Sequence, residues 1–270
     1  MSNALSAGVI EPFYFGAAEK PLFGCYHAPQ RRTRDCAIVL CYPTGQEYIR
    51  SHRSYRQLAF QLSSAGFPVL RFDFYGCGDS AGDCAEGRIT QWLTDLGTAV
   101  SEIKQKHRLF KICLVGLRLG GTLSMMAGAE RGDIEGMVLW DPILSGTAYI
   151  EELTFLHQQR AWHSLGKTKQ NTIGERPTEI LGFPMTCSML ADLQKIEVFS
   201  IREKPASDIL ILASSEEAGQ LRLAEHLKGL HVNVESQYLP TPDIWIEKNK
   251  TVVPNQILKT MVSWISRVYT

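Results

Sequence analysis

The 270-residue sequence has no apolar run near the roughly 20 residues that a membrane-spanning helix needs, and its N-terminal segment lacks the basic and apolar regions of a signal peptide. It also has no excess of either charge, because 28 basic and 28 acidic residues give a formal net charge of zero. A balanced charge gives no reason to expect a nucleic acid or a membrane surface as partner. Together these absences predict a cytoplasmic protein.

The cysteine pattern does not indicate a metal site. There are seven cysteines and no C-x-x-C pair. An odd, scattered set that lies partly in apolar runs argues against a disulfide framework or a zinc site and fits a reducing compartment. The sequence also lacks a P-loop, a dinucleotide-binding fingerprint in a suitable unit and spaced metal ligands. We therefore expect neither a cofactor nor a metal.

Short apolar runs alternate with amphipathic segments along the chain. After a hairpin within Glu11–Tyr26, strands are expected at Cys36–Tyr42, Phe67–Phe72, Leu109–Val115, Glu135–Trp140, Ile209–Ala213 and Val232–Leu239. Helices are expected at about Ser51–Ala65, Ile89–Lys106, Glu216–Gly229 and Pro254–Val268. This alternation predicts an α/β fold with a doubly wound, mostly parallel sheet.

Residues 144–204 interrupt this alternation, because they are mostly helical and loop-like without a clear parallel strand. We therefore predict an α/β core made of residues 1–143 and 205–270, with a helical cap at 144–204. In open parallel sheets the ligand crevice lies beyond the carboxyl ends of the strands. The cap is thus expected to cover a site built from the loops that follow those strands.

The segment Gly116–Gly120, GLRLG, has the pattern of a nucleophile elbow, in which a sharp strand-to-helix turn presents its middle residue to an active site. Glycines at both ends permit the close backbone approach that the turn requires. The middle residue here is Arg118, whereas a hydrolase has a serine in this place. The sequence thus has the local geometry of a hydrolase without the usual nucleophile.

Three features resemble the α/β hydrolases of the serine aminopeptidase type with a helical cap: GLRLGG, the loop RFDFYGCGDSAGD and the order of the elements. More narrowly, the chain resembles the exosortase A system-associated hydrolases that have arginine at the elbow. That similarity rests on EYIRSHR, EILGFPMTCSMLADL and DIWIEKNKTVVP. The resemblance covers nearly the whole chain and implies the α/β-hydrolase fold. It leaves the reaction open, because fold does not determine function.

The resemblance also implies where a catalytic triad would lie. The nucleophile position is Arg118, and a guanidinium that stays protonated cannot act as a nucleophile. The acid would follow Ile209–Ala213, where Glu216 and Glu217 are available. The histidine would follow the last strand, but PTPDIWIEKNKTVVP contains none. We therefore predict that acyl-enzyme hydrolysis by a Ser-His pair does not occur.

A cation at the N-terminus of a helix needs a neutralising anion, since the helix dipole is already positive there. An internal partner would make Arg118 a structural pin, and the candidates are Glu47, Asp141, Glu216, Glu217 and Asp243. A ligand carboxylate or phosphate would instead make the elbow an anion site, assisted by the backbone N–H groups of Leu119 and of Gln46 or Glu47. A mixed arrangement, in which Glu47 holds Arg118 while the guanidinium still faces a ligand, is also open. The number of nearby carboxylates favours the structural pin.

These arguments give a set of candidate site residues. The candidate catalytic residues are Arg118, Glu47 and Glu216. The candidate substrate-binding residues are Gln46, His52, Leu119, Asp141, His157, His163 and Trp245. Each histidine has an alternative interpretation as a surface or packing residue, and so has the tryptophan as a packing residue.

Three functions are consistent with this pattern. The chain could be an enzyme that acts on an acyl ester, a thioester or a carboxylated metabolite without a serine nucleophile, by hydrolysis, acyl transfer, cyclisation or elimination. It could be a non-catalytic protein that binds a small or carrier-bound acyl or carboxylate ligand. It could also be a structural partner in a biosynthetic assembly, for example of exopolysaccharide. The retained elbow glycines and the cap favour the enzyme, and the sequence does not indicate an oligomeric state.

Overall fold

The computed structural model describes residues 9–108, 110–165, 179–215, 218–246 and 253–269, with side chains throughout except at 161–165 and 218. The strands are β1 (Ile10–Phe15), β2 (Leu22–His27), β3 (Cys36–Cys41), β4 (Val69–Phe72), β5 (Lys111–Leu117), β6 (Gly136–Trp140), β7 (Glu179–Ile180), β8 (Phe183–Pro184), β9 (Asp208–Ala213) and β10 (Asn233–Tyr238). Eight of them form one sheet in the order β1-β2-β4-β3-β5-β6-β9-β10. Only the pairings of β2 with β1 and with β4 are antiparallel in this sheet.

Helices cover both faces of this sheet. They are α1 (Gly45–Ser64), α2 (Ile89–His107), α3 (Leu119–Arg131), α4 (Gly146–Leu165), α5 (Cys187–Gln194), α6 (Ala218–Gly229) and α7 (Asn255–Val268). Alternate residues of the fully buried strand β3 belong to different cores: Ile38 packs with α1 and α7, whereas Val39 packs with α2 and α3. A strand buried on both faces needs a continuous apolar sequence, as CAIVLC provides. The predicted doubly wound α/β fold is confirmed.

One predicted boundary near the site is wrong. Helix α1 begins at Gly45 and not at about Ser51, so Gln46 and Glu47 lie in its first turn and His52 lies within the helix. The residues after Gly45 include no helix breaker, and an acidic residue in the first turn is favourable to the helix dipole. This end of the helix lacks a regular apolar stripe, because it faces the site rather than the core.

The segment between β6 and β9 contains α4, the antiparallel hairpin of β7 and β8, α5 and a short 3-10 helix at Val198–Ser200. An ion pair between Arg88 and Asp192, at 2.6 Å, joins α5 to the residue that precedes α2. The limits of the cap, residues 144–204, remain a prediction. Among the described helices, none has both the length and the apolar character that crossing a membrane requires.

Candidate functional site

The turn between β5 and α3 has the geometry of a nucleophile elbow. Arg118 has a φ of +52° and a ψ of −125°, a conformation that is strained for a residue with a side chain. A Cβ at Gly120 would overlap the carbonyl oxygens of Cys41 and Tyr42, and one at Gly116 would overlap the backbone of Gly120. These two glycines therefore permit a close approach that no other residue allows. The turn directs the Arg118 side chain towards helices α1 and α4.

Arg118 forms ion pairs with one carboxylate from the core and one from α4. Its Nε–H donates to Oε1 of Glu47 at 3.0 Å, and its Nη2–H donates to Oε2 of Glu152 at 2.5 Å. The Tyr149 hydroxyl donates to Oε2 of Glu47 at 2.9 Å. The guanidinium also lies 5.5 Å from the centre of the Tyr149 ring and 5.1 Å from that of Trp245. We call these five residues the elbow cluster.

Burial makes the charges of the elbow cluster interdependent. The side chains of Arg118 and Glu47 are only 10% and 4% exposed. Burial lowers the pKa of Arg118, but Glu47 and Glu152 outweigh this effect and raise the pKa above its usual value. Burial raises the pKa of Glu47, against the opposing effects of Arg118 and Tyr149. The protein itself thus neutralises the elbow cation, as the internal-partner interpretation requires, with Glu47 as one of the partners.

A small cavity of about 70 Å³ lies beside the elbow cluster, and we call it the inner cavity. Its wall is mostly apolar and is formed by Thr44, Gly45, Gln46, Glu47, Cys77, Cys84, Trp92, Leu119, Tyr149, Leu153, Ile180, Leu181, Phe183, Pro184, Met185, Met189 and Leu193. One ordered water needs a cavity volume of about 10–15 Å³. The inner cavity, at about 70 Å³, is several times larger and has room for a short acyl chain. Glu47 belongs to this wall, and Arg118 does not.

Two residues of the inner cavity wall, Gln46 and Leu119, lie at helix N-termini. Gln46 lies in the first turn of α1, whose preceding residue Thr44 provides no side-chain cap, and Leu119 is the first residue of α3. In the first turn of a helix the N–H groups have no intrahelical acceptor. Within the described ranges neither N–H finds another acceptor. N–H groups without an acceptor at a helix N-terminus can stabilise negative charge on a ligand oxygen.

An open groove of about 520 Å³ adjoins the inner cavity, and we call it the outer groove. It is lined by Gln46, Ile49, His157, Arg160, Glu179, Leu181, Gly182 and Phe183, of which Gln46, Leu181 and Phe183 also line the inner cavity. The backbone N–H of Leu181 donates to Nδ1 of His157 at 3.0 Å. Because Nδ1 is an acceptor here, the neutral imidazole has its proton on Nε2.

Asp141 lies apart from the ion pairs of Arg118. It is buried, has a φ of +43°, and its Oδ1 accepts the backbone N–H of Ser214 at 2.8 Å. Its Oδ2 is buried without a hydrogen-bond partner among the described residues, and burial raises its pKa. In the described part of the chain, neither Asp141 nor Asp243 forms an ion pair with Arg118. The second ion-pair partner of Arg118 is therefore Glu152, and not either of these two candidates.

The structure brings most of the predicted site residues together. Glu47, Arg118 and Trp245 belong to the elbow cluster, Gln46 and Leu119 border the inner cavity, and His157 lines the outer groove. His52 lines neither space, because it lies on the exposed face of α1 with its ring 5.9 Å from those of Tyr42 and Tyr48. Glu216 and the side chain of His163 lie outside the part of the chain that the structure describes.

The sequence reasoning missed Tyr149 and Glu152, which both contact the Arg118–Glu47 pair. Their spacing of three residues on α4 places them on the same side of the helix. This spacing was visible in the sequence, but which face of α4 meets the elbow was not. Within the described residues there is no group of three or more His, Cys, Asp or Glu side chains arranged to hold a metal ion.

Comparisons with known proteins agree with this fold. The sequence profile of the family described as serine aminopeptidase, S33, matches residues 46–180, which is half of the chain. No curated protein matches the chain in sequence.

Solved esterase structures are similar to the chain over nearly its whole length. Est1E from Butyrivibrio proteoclasticus, with bound ferulic acid, has 17% identity and a TM-score of 0.66, over 95% of this chain and 97% of its own. A carboxyl esterase from Bacillus coagulans, in complex with glycerol, has 14% identity and a TM-score of 0.67, over 96% and 99%. The esterase Pf2001 from Pyrococcus furiosus has 14% identity and a TM-score of 0.66, over 97% and 91%. At these identities the similarity shows the fold alone.

Proposed function

The chain belongs to the serine aminopeptidase (S33) family of α/β hydrolases, and on that premise we propose that it acts on a small acyl ester or thioester without a serine nucleophile. The observation that carries the proposal is the inner cavity, whose mostly apolar wall includes Glu47 and two residues at helix N-termini, Gln46 and Leu119. An apolar wall suits an acyl chain, and paired N–H donors suit its carbonyl oxygen.

The residues at the triad positions support chemistry without a serine. Arg118 occupies the elbow, and residues 239–254 contain no histidine. The Ser214 side chain, in the loop where the acid is expected, is hydrogen bonded to Thr241 of the loop where the histidine is expected. Neither hydroxyl can act as a base near neutral pH. The proposal therefore includes the loss of the Ser-His-acid triad.

In the proposed reaction Glu47 is the general base. It takes a proton from water as the water oxygen bonds to the acyl carbon, and the carbonyl oxygen becomes an oxyanion that accepts hydrogen bonds from the Gln46 and Leu119 N–H groups. When the bond to the leaving group breaks, Glu47 returns the proton to that group. The products are a carboxylic acid and a thiol or an alcohol. A hydroxyl or amine of the ligand in place of water would give acyl transfer or cyclisation.

Arg118 acts in this scheme as a positioning residue. Its guanidinium does not line the inner cavity, and its ion pair fixes the Glu47 carboxylate beside it. The burial that raises the pKa of Glu47 also favours its role as a base, because a carboxylate of higher pKa accepts a proton more readily. The backbone N–H groups, rather than the arginine, then supply the anion-stabilising function.

A second function is favoured by a different observation. Both oxygens of Glu47 already accept hydrogen bonds, from Arg118 and from Tyr149. A carboxylate held in this way serves equally well to fix α1, the elbow and α4 in a protein that binds an acyl or carboxylate ligand without turnover. This alternative includes a scaffold role in a biosynthetic pathway.

The narrower assignments of the sequence analysis are also part of this proposal. Membership of the exosortase-associated subgroup with arginine at the elbow rests on EYIRSHR, EILGFPMTCSMLADL and DIWIEKNKTVVP. A role in exopolysaccharide biosynthesis depends on that membership. A cytoplasmic location is supported by seven free cysteines, of which three are buried. The ligand would be a small or carrier-bound acyl compound, with no resident cofactor, nucleic acid or membrane involved.

The proposal is tested with the full chain on p-nitrophenyl butyrate and on the butyryl thioester of N-acetylcysteamine. We expect turnover by the wild type, a loss of about a hundredfold or more in Glu47→Gln, and no labelling by a fluorophosphonate probe. Glu151→Gln is the matched control, because this residue is exposed on α4. Equal turnover by wild type and Glu47→Gln, or fluorophosphonate labelling of a serine, contradicts the proposal.

A second pair of variants tests the inner cavity as the acyl site. Leu153→Trp fills the cavity, whereas Leu221→Trp makes the same change at a residue that is 67% exposed on α6. We expect only the first to raise KM for the butyryl substrates. If butyrate raises the melting temperature of the wild type, does not raise that of Leu153→Trp, and neither substrate is turned over, the binding-protein alternative replaces the enzyme.

A further inference from the structure

The solvent face of α1 has an uninterrupted stripe of apolar and cationic side chains. Ile49, Arg53, Arg56 and Phe60 follow one another at intervals of four, three and four residues, which places them on one side of the helix. All four are exposed, and the apolar residues at the two ends are 56% and 43% exposed. We call these four residues the α1 stripe.

The positive charge of the α1 stripe comes from Arg53 and Arg56. Arg53 and Arg56 form no ion pair with any residue that the structure describes, whereas several arginines elsewhere do. The only acidic residue of α1 is Glu47, which is buried and paired with Arg118. On a chain of zero formal net charge, an exposed helix face with two arginines and no acidic residue is complementary to an acidic partner.

The α1 stripe begins where the outer groove begins. Ile49 belongs to both, and the outer groove leads through Gln46 and Phe183 to the inner cavity. From Ile49 to Phe60 the stripe extends for about 16 Å along the helix. A small ester that fills the inner cavity would leave the stripe uncovered. An occupant of both needs a narrow part in the groove and a larger acidic part on the helix.

We propose that the α1 stripe is the docking surface for an acidic acyl carrier protein, whose thioester-linked acyl group enters the inner cavity on a flexible arm that lies in the outer groove. This deepens the proposed function by naming the form in which the substrate arrives, and its acyl part rests on that function. Arginines flanked by exposed apolar side chains are typical of protein–protein interfaces, in which both the charge and the apolar contacts are used. The surface of an acidic protein can provide both carboxylates for the arginines and apolar contacts for Ile49 and Phe60.

The test measures docking without any turnover. A fluorescently labelled acyl carrier protein with an unacylated phosphopantetheine arm is titrated with the full chain, and its anisotropy is recorded at several salt concentrations. We expect binding that weakens as salt increases, and at least about tenfold weaker binding for Arg53→Glu/Arg56→Glu. Arg202→Glu/Lys204→Glu is the matched control, with the same change of charge at two exposed residues before β9. This control is expected to bind as the wild type does.

Several results would overturn the docking proposal. They are equal binding by the stripe variant and the wild type, an equal loss in the control variant, and binding to phosphatidylserine vesicles without binding to the carrier. Thermal melting shows whether each variant is folded, and a single replacement, Arg56→Gln, serves if the double variant is not. Turnover of the free butyryl thioester by the wild type tests the proposed function separately. Carrier binding without that turnover therefore supports docking and contradicts the proposed enzyme. Turnover without carrier binding supports the enzyme and contradicts docking.

Discussion

The Thr241 hydroxyl donates a hydrogen bond to the Ser214 hydroxyl at 3.0 Å, and this bond joins the loops that follow β9 and β10. The Ser214 hydroxyl also accepts a hydrogen bond from Nε1–H of Trp140 at 3.3 Å. The backbone N–H of Ser214 donates to Oδ1 of Asp141 at 2.8 Å. Family resemblance places an acid and a histidine in these two loops. In the described part of these loops, the two hydroxyl groups join one loop to the other. The carboxylate that belongs to the inner cavity wall is that of Glu47.

The first prediction concerns the Arg118–Glu47 pair. Replacing Arg118 by Met leaves a buried carboxylate without its closest cation, so we expect a loss of about 3–5 kcal/mol in the free energy of unfolding. The double variant Arg118→Met/Glu47→Leu removes both charges, and we expect it to be more stable than Arg118→Met alone. Urea unfolding of the wild type, both single variants and the double variant gives the coupling energy. Additive losses would show that the two charges do not interact.

The second prediction isolates the strain of the elbow. Arg118→Ala and Arg118→Gly remove the same contacts, but only glycine adopts the φ of +52° without a steric cost. We expect the glycine variant to be the more stable of the two by about 1–2 kcal/mol, which reverses the usual order of the two residues. The comparison is made by urea unfolding, and an alanine variant of equal or greater stability would contradict the assigned conformation.

The third prediction concerns the close approach of α3 to β3. A methyl group at Gly120 would overlap the backbone oxygens of Cys41 and Tyr42, which cannot move without disturbing the central strand. We expect Gly120→Ala to destabilise the protein by more than about 2 kcal/mol, or to prevent folding. Gly229→Ala is the control, because that glycine has open space around it at the end of α6. Thermal melting of the two variants compares them, and equal melting temperatures would argue against this packing.

The elbow residues Arg118 and Gly120 could be predicted from the sequence, whereas Tyr149 and Glu152 could not. Strands such as β3 and the elbow were predictable because continuous burial and a tight turn require particular residues locally. The start of α1 was missed because its first turn faces the inner cavity and therefore lacks an apolar period. Glu152 was missed because its role depends on how α4 lies against the core. That is a long-range contact with no local pattern.

The last prediction concerns the pH dependence of stability. His27 is buried, and its Nε2 accepts Nε–H of Arg71 at 3.0 Å, so the ring is neutral in the folded protein. Burial and the nearby Arg71 lower the pKa of His27 from 6.5 to about 4. Between pH 6.5 and 4, only the unfolded chain binds a proton at His27. The contribution of neutral His27 to the free energy of unfolding is therefore fully present above pH 6.5, and it decreases by about 3 kcal/mol as the pH decreases to 4.

The variant His27→Gln tests this contribution, because its amide oxygen can still accept from Arg71. We expect this part of the loss to disappear in the variant. Urea unfolding between pH 7.5 and 4.5 measures the difference, with exposed His231→Asn as the control. Parallel pH curves for wild type and His27→Gln would show that His27 is not held neutral.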